Sequence, residues 1–471
     1  MNKFYITTAI PYVNARPHIG HAFEFVEGDV IARYHKILGD EVLLLSGADE
    51  NALKNVRAAE KENISVQELV NKNSKLFEDL AKKLSVNFDV FQKGSNPKHH
   101  LSSQKLWKQC LKDIYKKKYT GLYCVDCEQF YEKEELNENG ECFEHPGKKL
   151  EEISEENYFF KLSKYQKQIE DLLESGTLQI VPEHRKNEIL AFVKRGLKDI
   201  SVSRSNERAK NWGVKIPGDE TQRMYVWFDA LNIYRSGVED RKEKEWWPAD
   251  VHVMGKGITR FHAVYWPAFL LSAGLELPKK IFVHEYITVN GQKMSKTTGN
   301  VLDPIPLIEK YGTDALRYYL LAKISPFSDG DFSEEKFKET YNADLANGLG
   351  NLISRVAKLC ENNNTESSTI PPKIPYALEN GYHEFLESFQ FNVALENIWR
   401  DIKTLDVEIN NRKPWSLPID QANLLLTKIT GDIRKIAFAL KPFLPETAEK
   451  IEEQFKGPKI KSEKLLFPRL I

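Results

Sequence analysis

Hydrophobic and polar positions follow two different periods within the first fifty residues. Residues 4–10, FYITTAI, form an apolar run of β-branched and aromatic side chains, which predicts a buried strand. Apolar residues then recur every three or four positions from Ala22 to Leu38, which predicts a helix, and EVLLLSG at 41–47 predicts a second strand. A strand, a helix and a strand in this order form a βαβ unit, so we expect a parallel sheet.

The pattern changes three times along the rest of the chain. Residues 51–113 are mostly helical by period, whereas residues 119–160 combine cysteines, acidic residues and aromatic pairs and predict a small insertion. Strand-like segments, MYVWFDAL, VHVMG and KIFVHEYITV, return from residue 225, and helical periodicity continues from Val301 to the end. The polar, proline-rich stretch 361–375 predicts a long loop. We therefore expect an α/β fold with a parallel sheet split by an insertion and followed by an α-helical bundle.

Composition narrows the class of protein. A chain of 471 residues is too long for one core, so two or three domains are expected. The 67 basic and 68 acidic side chains nearly cancel, so any nucleic-acid site has to be a local basic surface. The N-terminus lacks the features of a signal peptide, no apolar run approaches the length of a membrane span, and five cysteines do not form a disulfide framework. These features predict a cytoplasmic protein without a membrane partner.

The loop PYVNARPHIGH, residues 11–21, follows the first predicted strand and precedes the first predicted helix. Such loops lie at the carboxyl edge of a parallel sheet, where the helix N-terminus favours anions. Pro17 suits the start of a helix, and Gly20 allows a ligand close to the backbone. His18 and His21 lie one helical turn apart and suit donors to a phosphoryl group. A polar helix start or a metal pair are the alternatives, although no further metal ligand lies nearby.

A second candidate phosphate site is GQKMSKTTGN, residues 291–300. Lys293 and Lys296 lie three residues apart among Ser, Thr and Gly, which suits a mobile loop that brings point charges to phosphates. The alternative is a solvated basic loop, which is common for an isolated pair of lysines.

Two knuckles near the middle of the chain have the spacing of a zinc site. Their four potential ligands are Cys124, Cys127, Cys142 and His145. Four ligands complete a tetrahedral shell and leave no open position, so the predicted site holds one structural Zn²⁺. Cys110 and Cys360 fit no such pattern and are predicted to be buried thiols.

PHIGH after the first strand and KMSKT after the last strand of a split sheet resemble the HIGH and KMSKS signatures of class I aminoacyl-tRNA synthetases. Over essentially the whole chain, the sequence resembles the methionyl-tRNA synthetase family in TAIPYVNARPHIGH, CVDC, CFEH, ENYFFKLSKY, MYVWFDALNIY, RFHAVYWPAFL and VNGQKMSKT. The resemblance implies a Rossmann-type catalytic domain that activates methionine with ATP to methionyl-adenylate and transfers the methionyl group to tRNA(Met).

The resemblance also implies roles for individual residues. The ATP site would comprise His18, Gly20, His21, Lys293, Ser295 and Lys296, with Mg²⁺ accompanying ATP. The two histidines and two lysines would be the catalytic groups on the phosphates. The L-methionine site would comprise Ala9, Ile10, Tyr12, Asp49, Trp227, Tyr234, Ile258, Phe261 and His262, with Asp49 on the substrate ammonium. The anticodon site would comprise Asn351, Arg355 and Trp415.

The expected domain organisation follows the same resemblance. The first half of the Rossmann catalytic domain would span 1–117, the connective-peptide insertion with the zinc knuckle 118–224, the second half 225–290, the KMSKT loop and stem-contact segment 291–335, and the helical anticodon-binding domain 336–471. The chain ends at Ile471 without a further domain of the kind that some relatives carry, so we expect a monomer.

Three positions depart from the family pattern. Asn51 stands where many members have histidine, Gly257 where an aspartate near the nucleotide ribose is common, and Leu231 where proline is frequent. Two other functions therefore stay open at this point. One is a class I synthetase for another amino acid, and the other is a catalytically dead relative that only binds tRNA. The segments WFDA, with Tyr234 after it, and RFH argue against a synthetase for another amino acid. The two retained histidines and two retained lysines of the phosphate motifs argue against an inactive relative.

Overall fold

The structure is a computed structural model that describes residues 2–125, 127–142, 147–240, 243–294, 299–366 and 381–470. The strands among these residues are β1 (Lys3–Thr8), β2 (Glu41–Ala48), β3 (Val90–Lys93), β4 (Ile114–Cys124), β5 (Gln129–Tyr131), β6 (Glu151–Phe160), β7 (Gln179–Val181), β8 (Ile200–Ser201), β9 (Ser203–Ser205), β10 (Lys215–Ile216), β11 (Asp219–Met224), β12 (Val251–Gly255), β13 (Lys280–His284), β14 (Ile287–Val289), β15 (Gln292–Lys293) and β16 (Gly330–Phe332).

The α-helices in the same part of the chain are α1 (Ile19–Leu38), α2 (Leu53–Glu62), α3 (Val66–Lys83), α4 (Pro97–Cys110), α5 (Gln166–Ser175), α6 (Glu183–Lys194), α7 (Val226–Ala230), α8 (Ile233–Glu239), α9 (Glu243–Trp246), α10 (Trp266–Ala273), α11 (Ile305–Tyr311), α12 (Thr313–Lys323), α13 (Glu334–Thr340), α14 (Asn351–Asn363), α15 (Tyr382–Glu387), α16 (Phe391–Arg412), α17 (Ile419–Leu440) and α18 (Pro445–Phe455). Two π-helical segments, Phe261–Tyr265 and Tyr341–Gly350, lead into α10 and α14. None of the described helices combines the length and the hydrophobicity that crossing a bilayer requires.

A six-stranded parallel sheet in the order β3-β2-β1-β12-β13-β7 forms the centre of the molecule. Successive residues of its strands face opposite sides, so one buried cluster contains Ile6 and Phe282 and the other contains Tyr5 and Ile281. The first cluster continues into the C-terminal helices and the second continues towards the inserted region. The chain leaves β1 towards β2 and later returns on its other side at β12, so the sheet has its switch point between β1 and β12.

The opening βαβ unit is confirmed, because β1, α1 and β2 lie where the hydrophobic pattern predicted them. Helix α1 begins at His18, whose side chain caps the first turn, and ends at Gly39, whose φ of 92° is accessible to glycine. Its apolar positions pack against the sheet, while β1 and β2 pair in parallel register.

Several secondary-structure predictions were wrong in detail. MYVWFDAL is not a strand, because Val226–Ala230 is the helix α7. The segment KIFVHEYITV contains two strands, β13 and β14, that belong to different sheets. The regions predicted to be helical also contain two short strands, β3 and β16, which were not predicted. A short apolar run fits a buried helix as well as a buried strand, so its period alone could not distinguish them.

The region between the two halves of the sheet contains two antiparallel sheets, β5-β4-β6-β8 and β10-β11-β9. Strand β7 also lies in this interval, but it pairs with β13 as the edge strand of the central sheet. Strand β4 crosses the expected boundary after residue 117. The domain limits therefore stay a prediction, and residues 118–224 contain more than an appended domain.

The C-terminal part is helical, apart from short β-structure. Helix α14 continues to Asn363, so the first residues of the predicted loop 361–375 are helical, and residues 367–380 lie outside the described part of the chain. Helices α14, α16, α17 and α18 bury their apolar faces together, as their amphipathic pattern predicts.

Candidate active site

Several charged and polar residues, among them the predicted site residues His18 and Asp49, lie at the carboxyl edge of the central sheet. The loop after β1 ends at His18, Asp49 directly follows β2, and Lys256 directly follows β12. Tyr12 and Asp49 form an isolated parallel bridge that extends the pairing of β1 and β2 towards this edge. A crevice at the switch point is where open α/β sheets bind ligands.

The two histidines of the first motif form one unit at the start of α1. The His18 backbone N–H donates to His21 Nδ1 at 3.1 Å, and the Gly20 N–H donates to His18 Nδ1 at 3.1 Å. Their ring centroids lie 3.8 Å apart. Because each Nδ1 accepts a backbone proton, each neutral ring carries its own proton on Nε2. Both side chains therefore suit donation to an anionic oxygen.

The second motif lies directly beside the first, as the split sheet predicted. A β-carbon on Gly20 would lie 3.7 Å from the terminal methyl of Met294. On the far side of the motif, the Ile19 N–H donates to the Leu302 carbonyl at 2.9 Å. Lys293, on β15, is exposed, whereas Ser295 and Lys296 lie outside the described residues. The described flanks thus bring the lysine motif to the N-terminus of α1.

An aromatic cluster includes Tyr12, which belongs to the loop that carries the first motif. The Trp227 and Phe261 rings stack with centroids 3.7 Å apart and planes 6° apart, and Tyr12 meets Trp227 edge-on at 6.2 Å. Ile10, Tyr12 and Ile258 are partly buried against the apolar cluster that contains Ala9. Such a surface suits a flexible apolar side chain, and aromatic rings interact favourably with a thioether sulfur.

A hydrogen-bond chain fixes the polar side of this cluster. His262 Nδ1 lies 3.0 Å from the Ile258 carbonyl, and the Tyr234 hydroxyl lies 2.7 Å from His262 Nε2. A carbonyl only accepts, so Nδ1 carries the imidazole proton and the Tyr234 hydroxyl donates to Nε2. Burial lowers the pKa of His262 to about 4, which keeps this ring neutral at neutral pH. The chain therefore holds Tyr234 in one orientation without a charge.

Asp49 is buried at the end of β2 and accepts the Asn51 N–H at 3.2 Å. Burial raises the pKa of its carboxyl, and the nearby carboxylates of Asp229 and Glu128 raise it further. A cation bound at Asp49 would lower the pKa of this carboxyl and so offset both effects. Asp49 is therefore a suitable partner for a substrate ammonium group, as expected.

Three of the predicted zinc ligands are brought together. The Sγ atoms of Cys124, Cys127 and Cys142 lie within 4.8 Å of one another, with Cys127 and Cys142 3.7 Å apart. A tetrahedral zinc with bonds of about 2.3 Å separates two sulfur ligands by about 3.8 Å. The Cys124 thiol and burial raise the pKa of Cys127, so binding of a cation would release protons. The cluster can hold a metal, while His145 lies outside the described residues.

The three predicted anticodon residues lie on the C-terminal helices. Asn351 and Arg355 share α14, and Trp415 follows α16 with 52% of its surface exposed. The Arg355 guanidinium lies 5.1 Å from the centre of the Trp415 ring and 3.2 Å from Asp406. A large exposed aromatic ring beside a cation suits stacking on an unpaired base.

Comparison with known families decides which class of enzyme shares this arrangement. The family model described as tRNA synthetases class I (M) matches residues 4–357. The chain belongs to this family. Curated methionine–tRNA ligases resemble it along nearly the whole length. The protein from Brucella melitensis is 39% identical, with 97% of this chain and 92% of the relative covered, and that from Thermotoga maritima is 37% identical, with 95% and 74% covered.

Solved structures give the same result. Mycobacterium tuberculosis methionyl-tRNA synthetase in complex with methionyl-adenylate matches with a TM-score of 0.92 at 34% identity, covering 100% of both chains. The apo form of that enzyme matches with a TM-score of 0.84 at 32% identity, covering 100% of this chain and 99% of the other. The predicted family and fold class are confirmed.

The three residues that depart from the methionyl-tRNA synthetase pattern all lie in described parts of the structure. Asn51 donates to the Asp229 carboxylate at 2.6 Å and to the Gly94 carbonyl at 2.9 Å, so it links the end of β2 to α7. Leu231 is buried directly after α7, and Gly257 lies in a short 3-10 helix after β12. Asn51 thus has a structural role of its own.

Sequence reasoning missed a group of buried polar residues next to Cys127. Arg204 is buried. It donates to the Glu128 carboxylate at 2.8 Å and to the Asn51 carbonyl at 2.8 Å. Glu128 also accepts the Tyr123 hydroxyl at 3.1 Å. A single Glu after a cysteine knuckle has no distinctive spacing. The nearest sequence signal was its position directly after Cys127.

Proposed function

We propose that this chain activates L-methionine with ATP and transfers the methionyl group to tRNA(Met), as a methionine–tRNA ligase. The observation that carries the proposal is the proximity of the two signature motifs, with Met294 beside Gly20, at the carboxyl edge of the sheet where Tyr12 joins an aromatic cluster. The two motifs supply groups that donate hydrogen bonds to phosphates, and the aromatic residues bind an apolar side chain. The reaction requires both in one crevice.

In the first step, a carboxylate oxygen of methionine attacks the α-phosphorus of ATP. The new O–P bond forms as the bond to the bridging oxygen of pyrophosphate breaks, giving methionyl-adenylate. No protein nucleophile is needed, so catalysis consists of positioning and charge stabilisation. The Nε2–H groups of His18 and His21 would donate to phosphate oxygens, and Lys293, with Lys296, would stabilise the charge on the transferred group and on pyrophosphate.

Mg²⁺ bound with ATP would neutralise further phosphate charge. In the second step, a hydroxyl of the terminal tRNA ribose attacks the methionyl carbonyl, AMP leaves with the bonding electrons, and the hydroxyl proton is released. The protein contributes chiefly by holding both reactants.

Amino-acid selection would occur in the pocket formed by Trp227, Phe261 and Tyr12. The parallel stack of Trp227 and Phe261 provides a flat apolar wall against which a thioether can pack. Asp49 would bind the substrate ammonium at the other end. Substrates with a charged side chain would lose their hydration without gaining a partner here.

The proposed metal is a single Zn²⁺ held by Cys124, Cys127, Cys142 and His145. The spacing of the three described sulfur atoms supports this ligand set. Bound zinc would supply only structural rigidity, because four protein ligands leave it no open position. Binding of tRNA would use Trp415, Arg355 and Asn351, and the monomeric state and cytoplasmic location stay predictions.

Methionine-dependent exchange of pyrophosphate into ATP tests this function most directly. We expect exchange with methionine and with no other standard amino acid at comparable efficiency. Lys293→Ala should reduce kcat by at least tenfold and leave the affinity for methionine unchanged, because its charge acts in the transition state. Exposed Lys310→Ala is the matched control.

Two outcomes would contradict the proposal. Exchange driven best by another amino acid would indicate a different class I synthetase. Absence of exchange with every amino acid, in a protein that still binds tRNA(Met), would indicate a catalytically inactive relative.

A further inference from the structure

Tyr286 is a half-buried residue between β13 and β14 that no step of the proposed reaction uses. Two ammonium groups lie over its ring. Lys256 Nζ is 4.7 Å from the ring centroid, and Lys293 Nζ is 5.3 Å from it. Both distances fall within the range of about 6 Å in which a ring quadrupole attracts a cation. One of these two lysines belongs to the phosphate-binding motif.

The backbone of Tyr286 is held on both sides. Its N–H donates to Asp329 Oδ1 at 2.9 Å, and its carbonyl accepts the Gly330 N–H at 3.0 Å. A β-carbon on Gly255, at the end of β12, would lie 3.7 Å from a carbon of the Tyr286 ring. The ring therefore has a fixed position at the carboxyl edge of the sheet, next to the crevice.

Lys293 reaches this ring from a hairpin whose backbone is also fixed. Strands β14 and β15 pair through Thr288 and Lys293, and the turn between them uses Asn290 and Gly291 at φ of 52° and 74°. Asp331 Oδ1 accepts the Gly291 N–H at 2.6 Å. The hairpin thus fixes the backbone of Lys293, and the long lysine side chain loses much entropy when it is ordered.

The two lysines differ in their exposure. Lys256 is partly buried, and its Nζ lies 2.8 Å from Glu285 and 2.7 Å from Asp329, so carboxylates fix and neutralise it. Lys293 is exposed, and its ammonium lies over the Tyr286 ring, which follows β13 at the carboxyl edge of the sheet. The ring can order this ammonium without neutralising it, because a quadrupole carries no net charge.

We propose that Tyr286 is a positioning residue that holds the Lys293 ammonium beside the nucleotide crevice for adenylate formation. The inference rests on the proposed function, since it assigns Lys293 to the phosphates. Without the ring, the Lys293 ammonium would lose this attraction and would occupy its place beside the crevice less often. We expect Tyr286→Leu to reduce kcat of pyrophosphate exchange about two- to fivefold, the factor typical of a cation–π contact at an exposed site, with the KM for methionine unchanged.

A graded substitution separates the ring's charge distribution from its shape. Phenylalanine at position 286 keeps the quadrupole, and successive fluorination of that ring weakens it while nearly preserving its size. We expect Tyr286→Phe to retain exchange activity, and kcat to fall stepwise with each added fluorine. Because these rings fill the same space, the series remains informative even if Tyr286→Leu does not fold.

A double-mutant cycle with Lys293→Met supplies the second test. If Tyr286 acts through Lys293, fluorination should lower kcat in the wild-type background and have no further effect in Lys293→Met. Equal losses in both backgrounds, or a kcat that does not respond to fluorination, would overturn the inference. Methionine-dependent exchange by the wild-type enzyme reports separately on the proposed function, so the two can fail independently.

Discussion

At the scale of single residues, the catalytic helix contains a carboxyl group in an unusual setting. Glu27 lies on α1, two turns beyond His21, and is fully buried. Neither of its oxygens has a hydrogen-bond partner among the described residues. Burial raises its pKa to about 8, while the nearby His284 lowers it and Glu24 raises it. The native state therefore holds a proton here at neutral pH.

This proton makes stability depend on pH. The unfolded chain releases it above about 4.5 and the native state only above about 8, so the unfolded state binds fewer protons between these values. Stability should therefore fall as the pH rises through this interval, by about 5 kcal/mol in all. We expect Glu27→Gln to unfold like the wild type near pH 4.5 and to be more stable at pH 8, as measured by urea denaturation. The exposed residue Glu60→Gln is the control, and a pH-independent difference would contradict the assignment.

Tyr234 gives a second prediction at this scale. Its hydroxyl is the partner of His262 Nε2 at 2.7 Å. Tyr234→Phe leaves that buried nitrogen unsatisfied, which costs about 1–3 kcal/mol and loosens the pocket. We expect the KM for methionine to rise about tenfold with little change in kcat. Tyr115→Phe removes a hydroxyl that donates to Asp199 at 2.8 Å in the inserted region, and it should leave both constants unchanged.

At the scale of structural elements, the cysteine knuckle is connected to the aromatic cluster that is proposed to bind methionine. Trp227 Nε1–H donates to the Cys127 carbonyl at 3.4 Å. The next residue, Glu128, forms a buried ion pair with Arg204, which also donates to the carbonyl of Asn51. The knuckle thus supports one wall of the pocket through backbone and side-chain contacts.

Metal removal should therefore affect methionine binding. We expect a chelator to release about one zinc per chain, measured by atomic emission, and to weaken methionine binding, measured by calorimetry. Cys142→Ser should reproduce both effects, because it removes a ligand. Cys110→Ser, a buried thiol outside the cluster, should show neither. Loss of zinc with unchanged methionine affinity would show that the knuckle does not support the pocket.

The C-terminal helices give a selective prediction. Trp415 lies on these helices rather than at the sheet edge that carries the phosphate motifs. Trp415→Ala should weaken charging of tRNA(Met) by about 1–3 kcal/mol, through a higher KM for tRNA, and leave pyrophosphate exchange nearly intact. Exposed Leu424→Ala on α17 is a matched control. Equal losses in both assays would contradict an anticodon role.

At the scale of the whole molecule, a single buried arginine joins the catalytic helix to the C-terminal bundle. Arg317 of α12 lies 2.8 Å from Asp29 on α1. It also donates to the carbonyls of Leu84 at 3.0 Å, Pro442 at 2.9 Å and Phe443 at 2.7 Å. Its donors therefore serve three parts of the chain that are distant in sequence. The junction continues the apolar cluster shared by the sheet and the bundle.

Removing this group should destabilise the whole fold. Arg317→Met leaves Asp29 with less compensation and three buried carbonyls unsatisfied, which typically costs about 3–5 kcal/mol. Arg33→Met is the matched control, because Arg33 also pairs with Asp29 at 2.6 Å but retains 27% side-chain exposure. We expect a smaller loss for Arg33, measured by urea unfolding. Equal losses of unfolding free energy in the two variants would contradict the idea that burial makes Arg317 more important for stability than Arg33.

Much of the site could be predicted from local sequence. His18 and His21 stand at helical spacing after an apolar run, and the cysteines stand at knuckle spacing, so both patterns are visible without any tertiary contact. The helix α7 was not predictable in this way, because Val226–Ala230 is short and apolar except for Asp229, so its tertiary neighbours decide its conformation. The edge strand β7 was missed since three residues carry no period.

The sequence by itself determined the fold class, the family resemblance and the types of group in the site, because periodicity and residue spacing are local properties. The tertiary structure decided which groups meet. It placed Tyr286 beside Lys293, Trp227 on the Cys127 carbonyl and Arg317 on Asp29. The β14–β15 hairpin brings the first pair together. The other two pairs unite residues far apart in sequence, which only the packing of the sheet, the insertion and the bundle brings into contact.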